Sequence, residues 1–327
     1  MKYVNLPNTD LKVSNISLGT AALGTIVNRE DSFAILDAYC ELGGNFIDTA
    51  HVYADWHGGE RHMSEKTIGQ WLRRSGKRDS VMLATKGGHP DLATPLIPRL
   101  APSQIIADID ESLVCLGVEQ VELYWLHRDD PERPVGEVLD VMNEQVRSGK
   151  IRYFACANWQ PERIRAAHEY ATVYGLNSFV ASQIHWSLAV PNPSAFASDH
   201  ALMDEATESY YATAGMGVVC FTPQAKGFFT KATVGGLGSL KPDVRRDFEN
   251  AETLARLVRG QDLARHLGTS ISAIVLSYIT SQPYVAVPII GPVSLEQLHD
   301  SLTAADLKLS TEMLQFLATG RPSMNFR

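Results

Sequence analysis

The sequence predicts a closed (β/α)8 TIM barrel, with an N-terminal β-hairpin ahead of the first barrel strand and extra helices at the C-terminal end. Three observations carry this. Short β-rich runs alternate with helical patterns along the whole chain, which is the signature of an α/β architecture. There are eight such runs, and no low-complexity linker divides the 327 residues. The first βα junction, Gly19-Thr-Ala-Ala-Leu-Gly24, lacks the Gly-x-Gly-x-x-Gly fingerprint that an open doubly wound sheet would present there. The expected organisation is one domain over residues 1–327, a size that barrels of this class commonly reach.

Tyr3 to Val13 reads as a hairpin whose turn is Pro7-Asn-Thr-Asp10, placed to plug the N-terminal end of the barrel. The strands are Ile16–Thr20, Asn45–Asp48, Val81–Lys86, Leu123–His127, Tyr153–Ala157, Phe179–Ile184, Val218–Thr222 and Val285–Ile289. Asp31–Leu42 is a helix stopped by Gly43-Gly44, and another starts with Ser64 as N-cap. Ser103–Leu116 has Ser103 as N-cap and ends at Gly117. Val135–Ser148 and Asp204–Ala214 end at Gly149 and Gly215, and Pro161–Tyr174 opens on proline and ends at Gly175. Ser270–Ser281 and Ser294–Thr303 complete the helices. Two long loops, Trp56–His62 and Lys226 to Phe248, belong to the face where strand C-termini emerge.

Composition narrows the function. A formal charge of −8 argues against nucleic acid or an anionic membrane as partner. No apolar run reaches the length of a membrane span and the N-terminus has no signal-peptide core, so a cytoplasmic protein is expected. Cys40, Cys115, Cys156 and Cys220 are scattered and read as reduced thiols, Cys156 and Cys220 in the core. His51, His57, His62 and His89 match no common zinc spacing, and no metal is expected.

Three strands end on ionisable groups: Asp48, Lys86 and His127. Five positions beyond Asp48 stands Tyr53. Ending a buried strand on a carboxylate is costly unless a partner waits for it, and Lys86 is the candidate. An adjacent ammonium favours the phenolate and so lowers a tyrosine's pKa, which makes Tyr53 a credible general acid and base. His127 would orient a substrate carbonyl. The set holds an acid and an oxygen-polarising pocket but no nucleophile, so carbonyl reduction would need a hydride from a cofactor.

The sequence resembles the aldo-keto reductase superfamily. The resemblance is carried in order by Phe46-Ile-Asp-Thr-Ala with Tyr53, Ser64-Glu with Ile68-Gly69, Thr85-Lys86 and Leu126-His127. It continues through Asn158-Trp159 with Arg163-Ile164, Gln183, Phe221-Thr-Pro-Gln-Ala-Lys-Gly, and Pro288-Ile-Ile-Gly291 with Glu296-Gln297-Leu298. It implies a barrel binding NADP(H) or NAD(H) without a Rossmann domain. It implies Tyr53 as proton donor, tuned by Asp48 and Lys86, with His127 positioning the carbonyl. It also implies Asn158 and Gln183 at the nicotinamide carboxamide, Phe221 stacked on the ring, and Gly19, Thr20 and Asp48 near the cofactor. Thr222, Pro223, Gln224 and Lys226 follow along the cofactor, and Gly291, Val293 and Gln297 take the adenosine end. Three departures stand out. Ala157 replaces a serine, Phe221-Thr-Pro-Gln224 replaces Tyr-Ser-Pro-Leu, and the adenosine-end segment lacks the basic residue that often meets a 2′-phosphate. NADP(H) is the first choice on family frequency and NAD(H) the alternative, with Lys226, Lys231 and Lys241 available to compensate.

Trp56 and His57, with His127, are the expected substrate contacts, and Trp159 or Trp186 are secondary candidates. The polar loop favours a sugar-like small carbonyl over a lipid. The competing reading is a cofactor-binding regulatory or accessory protein with little turnover, since channel accessory subunits share the resemblance. A metal-dependent hydrolase would want a His-x-His pair on an early strand, and none is present.

Overall fold

The structure, a computed structural model, describes residues 1–321. β1 (Tyr3–Asn5) and β2 (Lys12–Ser14) form an antiparallel hairpin. Eight parallel strands follow: β3 (Ser17–Gly19), β4 (Phe46–Asp48), β5 (Met82–Gly87), β6 (Val121–Leu126), β7 (Ile151–Ala157), β8 (Ala181–His185), β9 (Gly217–Phe221) and β10 (Ala286–Ile290). They close into a barrel in which β10 pairs with β3. All eight expected strands are present, each shifted by at most two residues at either end.

Residues of one parity along each strand face the barrel interior. Phe46, Ala84, Leu123, Trp125, Ala155, Ala181, Val219 and Val287 pack there, and Leu6, Leu11 and Val13 of the hairpin close the N-terminal end. Each of these three plug side chains is at most 1% exposed, and burial of that order is worth about 1.5–3 kcal/mol per side chain. The opposite parity, including Ile47, Leu83, Tyr124 and Leu126, packs against the surrounding helices.

The helices are α1 (Arg29–Glu41), α2 (Met63–Ser75), α3 (Pro102–Leu116), α4 (Val135–Arg147), α5 (Pro161–Tyr174) and α6 (Glu205–Ala214). After β9 come α7 (Phe228–Gly235), α8 (Pro242–Phe248), α9 (Ala251–Leu267) and α10 (Ile271–Thr280), then α11 (Leu295–Leu302) and α12 (Thr311–Thr319) after β10. α12 packs on α9 outside the ring, which supplies the extra C-terminal layer.

Three expectations need correction. The segment from Lys226 to Phe248 is not a loop, because α7 and α8 fold on the aromatic residues Phe228, Phe229 and Phe248. Ser64 lies inside α2; the N-cap position is His62, and the buried Ser64 hydroxyl donates to Thr20 instead. Ser103 also lies inside its helix, which begins at Pro102, where a missing N–H costs nothing.

Candidate active site

Strand parity explains why the ionisable groups meet. Asp48 shares the parity of Phe46, Lys86 that of Ala84, and His127 that of Trp125, so all three turn inward at the C-terminal rim. Asp48 and Lys86 are fully buried and lie 2.5 Å apart. The Lys86 ammonium also donates to the Thr49 carbonyl at 2.7 Å and to the Tyr53 hydroxyl at 3.0 Å. Gln183 donates through Nε2 to the other Asp48 oxygen at 3.0 Å. Burial lifts the Asp48 carboxyl against the pull of Lys86, Gln183 and Trp125. Burial alone would depress Lys86, but Asp48 and Tyr53 carry it above its ordinary value. The short contact keeps the two as an ion pair, since each charge is the other's only full compensation.

Burial raises the Tyr53 phenol, and Lys86 only partly offsets it. This corrects the expectation that Lys86 lowers it overall: at neutral pH Tyr53 holds its proton. Burial, then His89, Lys86, Arg128 and His200, depress the His127 imidazole well below its usual range, so it is neutral. Its Nδ1 has no partner, and its ring stands edge-on to Tyr53 with centroids 5.9 Å apart.

A cleft of about 730 Å³ opens over this group. Tyr53, Trp56 and His127 line it, together with Gly19, Asn158, Gln183 and Phe221. Thr222, Pro223, Gln224 and Lys226 continue one wall, and Gly291, Val293 and Gln297 form the far end. The expected cofactor residues therefore share one cavity, with two exceptions. Asp48 lies beneath the floor, and Thr20 is buried with its hydroxyl donating to the Asp48 carbonyl at 3.0 Å.

Several of these residues have a second occupation. A Cβ on Gly19 would come within 2.6 Å of Ile289, so close strand packing accounts for that glycine. Gln224 donates to Ser272 and Ser301, and the Gln297 carbonyl accepts the Val293 N–H at 3.0 Å. Lys226 pairs with Asp247 at 2.6 Å and Asp243 at 3.5 Å. Lys231 lines the cleft and donates to the Lys226 carbonyl. Lys241 instead caps α8.

The residues fit a nicotinamide dinucleotide on two observations. The Asn158 side-chain oxygen is buried and unpartnered at the cleft, while its Nδ2 donates to the His127 carbonyl at 3.3 Å. A Cβ on Gly291 would meet no atom within 4 Å, so the far end is open where the backbone itself forms the wall.

The substrate expectations fare unevenly. Trp56 is half-exposed at the mouth, its ring 5.7 Å from Tyr53. His57 does not line the cleft; its Nε2 accepts the Trp56 indole N–H at 2.9 Å and so braces that ring. Trp159 and Trp186 are buried among helix-facing residues rather than at the mouth. The sequence reading missed His89, Arg128 and His200. Arg128 pairs with Asp199 at 3.0 Å and donates to His200 at 3.2 Å. His89 stands two residues past the end of β5 and Arg128 follows His127, positions that point to the rim. His200 comes from a long irregular segment with no local signal. A separate hollow of about 600 Å³, beside Asn8, Arg152 and His168, lies at the start of β7, away from the rim where Asp48, Lys86 and His127 meet.

No helix among the described residues is long and apolar enough to cross a membrane. The family model described as "Aldo/keto reductase family" matches residues 15–318. The chain is 29% identical to an uncharacterized oxidoreductase, YrpG, of Bacillus subtilis (strain 168), over 97% of this chain and 95% of that protein. It is 27% identical to an aryl-alcohol dehydrogenase [NADP(+)] of Phanerodontia chrysosporium, over 95% of this chain and 83% of the relative. It is 28% identical to a probable voltage-gated potassium channel subunit beta of Oryza sativa subsp. japonica, over 94% and 92%. With the family match spanning the whole barrel, the chain belongs to the aldo/keto reductase family and is an NAD(P)H-dependent oxidoreductase acting on small carbonyl compounds.

Proposed function

We propose that Tyr53 is the proton donor in reduction of an aldehyde or ketone, with Asp48, Lys86 and His127 as its supporting set. The observation that carries this reading is the chain Asp48–Lys86–Tyr53, with contacts of 2.5 and 3.0 Å, ending at a cleft large enough for a dinucleotide. NAD(P)H, when bound, supplies the hydride. Tyr53 gives its proton to the carbonyl oxygen. The phenolate left behind is stabilised by the Lys86 ammonium, whose position Asp48 fixes. Neutral His127 donates a hydrogen bond to the same oxygen and sets its orientation. Asn158 and Gln183 keep their side-chain oxygens as acceptors for a carboxamide, Phe221 offers a ring face, and Gly291, Val293 and Gln297 border the adenosine end.

For the cofactor we propose NADP(H), supported by Lys226 and Lys231 at the cleft wall; NAD(H) is favoured instead by Asp300 at the adenosine end and by the pairing of Lys226 with Asp247. Paired titrations with NADPH and NADH decide between them. For the substrate we propose a polar, sugar-like carbonyl, supported by Trp56, His89, Arg128 and His200 at the mouth. The name of the fungal relative makes aryl aldehydes the control set. Turnover of apolar aryl aldehydes alone would remove this substrate assignment. The accessory-protein reading, which the resemblance to a channel β subunit raises, is excluded by turnover on any member of that panel.

Tyr53→Phe tests the core of the reading. The substitution deletes the acid and keeps the ring, so carbonyl reduction is expected to fall about 10²–10⁴-fold. Cofactor affinity, read by nucleotide fluorescence, is expected to stay within about twofold, because the hydroxyl is bonded to Lys86 and serves the substrate oxygen rather than the cofactor. An unchanged reduction rate would overturn the assignment.

A further inference from the structure

We propose that His51, His62 and Glu111 bind a divalent first-row transition metal, Zn²⁺ being the best match, at a site beside the catalytic cleft. The three donor atoms lie within 4.8 Å of one another. Glu111 Oε2 stands 2.8 Å from His51 Nε2 and 3.8 Å from His62 Nε2. The two imidazole rings are stacked, with centroids 3.9 Å apart and planes at 29°. Absence of a zinc spacing in the sequence was the ground for expecting no metal. That ground does not reach Glu111, which comes from α3, sixty residues beyond His51.

The surroundings organise the donors. His62 Nδ1 sits 2.6 Å from the His51 carbonyl, an acceptor only, so the proton is on Nδ1 and the Nε2 lone pair is free. An N–H to a backbone carbonyl is how metal-bound histidines are held in one tautomer and one orientation. The Asp55 carboxylate anchors the His62 N–H at 2.7 Å and accepts from Arg61 at 3.2 Å, which fixes the left-handed backbone turn at His62. Both histidines are at most 8% exposed, whereas the Glu111 side chain is 59% exposed, so the cluster is rooted on one side and open on the other. A small hollow of about 260 Å³, lined by His51, Asp55 and Arg61, provides a path for an ion.

Ligand chemistry selects the metal class. Two imidazoles and one carboxylate suit Zn²⁺ and its transition-metal neighbours, whereas Mg²⁺ and Ca²⁺ prefer all-oxygen sets. Two histidines, one acid and a water make a complete four-coordinate zinc site. Without metal, His51 donates Nε2–H to Glu111. Coordination uses that nitrogen's lone pair, so the ring proton moves to Nδ1 and no net charge is lost from the imidazole. The ion would tie the loop carrying Trp56 to α3.

The test uses the full chain stripped with chelator and titrated with Co²⁺. One equivalent is expected to produce the visible bands of four-coordinate Co²⁺, and Zn²⁺ is expected to bleach them. His62→Ala and Glu111→Gln are each expected to weaken binding at least about tenfold, while Glu60→Gln, on the same loop, leaves it unchanged. Circular dichroism verifies that the metal-free variants are folded. If a variant fails to fold, X-ray absorption of the wild-type zinc protein decides, through a shell of two imidazoles with oxygen and no sulfur. No stoichiometric bands, equal binding by the variants, or sulfur in the zinc shell would each overturn the site.

Discussion

Replacing Lys86 with methionine leaves the Asp48 carboxylate fully buried, with the Gln183 amide at 3.0 Å in place of a cation. Breaking a buried pair in this way costs about 3–5 kcal/mol, because the remaining carboxylate has neither water nor a counter-charge. Asp48→Asn is the mirror case: Lys86 keeps the Thr49 carbonyl and Tyr53 hydroxyl but loses its counter-ion. The double variant Asp48→Asn/Lys86→Met buries no charge. Its loss is expected to fall below the sum of the single losses by about 1–3 kcal/mol. Urea unfolding of the cofactor-free proteins at pH 7 measures the cycle. Additivity within about 0.5 kcal/mol would refute the ion pair as the organising interaction of the floor. A pH arm sharpens the test. In Lys86→Met the folded carboxyl, without its cation, is raised further and takes up a proton as pH falls, while the unfolded chain ionises it near 3.9. A raised folded carboxyl loses stability as pH rises, by about 1.4 kcal/mol per pH unit until the folded group ionises too. The variant's deficit is therefore expected to be smaller at pH 5 than at pH 7. Activity is not expected to return in the double variant, because Tyr53 has lost its ammonium neighbour.

The remaining predictions concern the cofactor and the acid range. Asn158 has φ +62°, so Asn158→Gly removes the carboxamide contact without the strain that alanine would meet. Cofactor affinity is expected to fall by roughly 3–10-fold, about one hydrogen bond, and an unchanged dissociation constant by titration would remove Asn158 from the binding set. His185 is buried among Phe196, Phe221 and Phe248 with neither nitrogen bonded, and burial lowers it to about 4. Stability linked to a lowered imidazole is full above about pH 6.5 and is lost as pH falls toward 4, roughly 3 kcal/mol in all. Glu65 runs the other way: burial raises its carboxyl to about 7, so its contribution is lost as pH rises from about 4.5 to 7. Glu65→Gln is therefore expected to steepen the rise of stability with pH in that window, and His185→Phe to flatten it. Parallel pH profiles for wild type and both variants in chemical unfolding would contradict this.

How much could be read beforehand follows from the physics of each element. Barrel strands announce themselves because β5 and β6 are mostly apolar and lead to an ionisable residue at their C-terminal ends, Lys86 and His127. Parity then fixes which strand-end groups share the interior without any knowledge of helices. The segment after β9 was opaque for a different reason. α7 and α8 are seven or eight residues long and are separated by Gly235-Gly236, Gly238 and Pro242, so glycine and proline outweigh their short apolar faces. α9 was overlooked despite Asn250 at its N-cap and Gly268 at its C-cap, because its apolar stripe is broken by Arg256, Arg259 and Asp262. Side-chain partnerships across the fold were the least legible. The ties of Lys226 to Asp247 and of Gln183 to Asp48 depend on tertiary approach, which spacing does not encode.

The division between strands and loops also says where specificity resides. Asp48, Lys86, Asn158 and Gln183 are at most 5% exposed and are held at strand ends by backbone pairing and side-chain bonds, so little about them can change without cost to the barrel. Trp56 hangs on a turn where the His57 imidazole accepts its indole N–H, and His200 rests on Arg128 and Asp199 at the edge of an irregular segment. Those residues can be exchanged without disturbing the floor. Exchanging Trp56 or His200 is thus expected to redistribute KM across a carbonyl panel while leaving Tyr53 and its partners in place. Changes at the floor act on the rate for every substrate alike, since every carbonyl would receive its proton from the same hydroxyl.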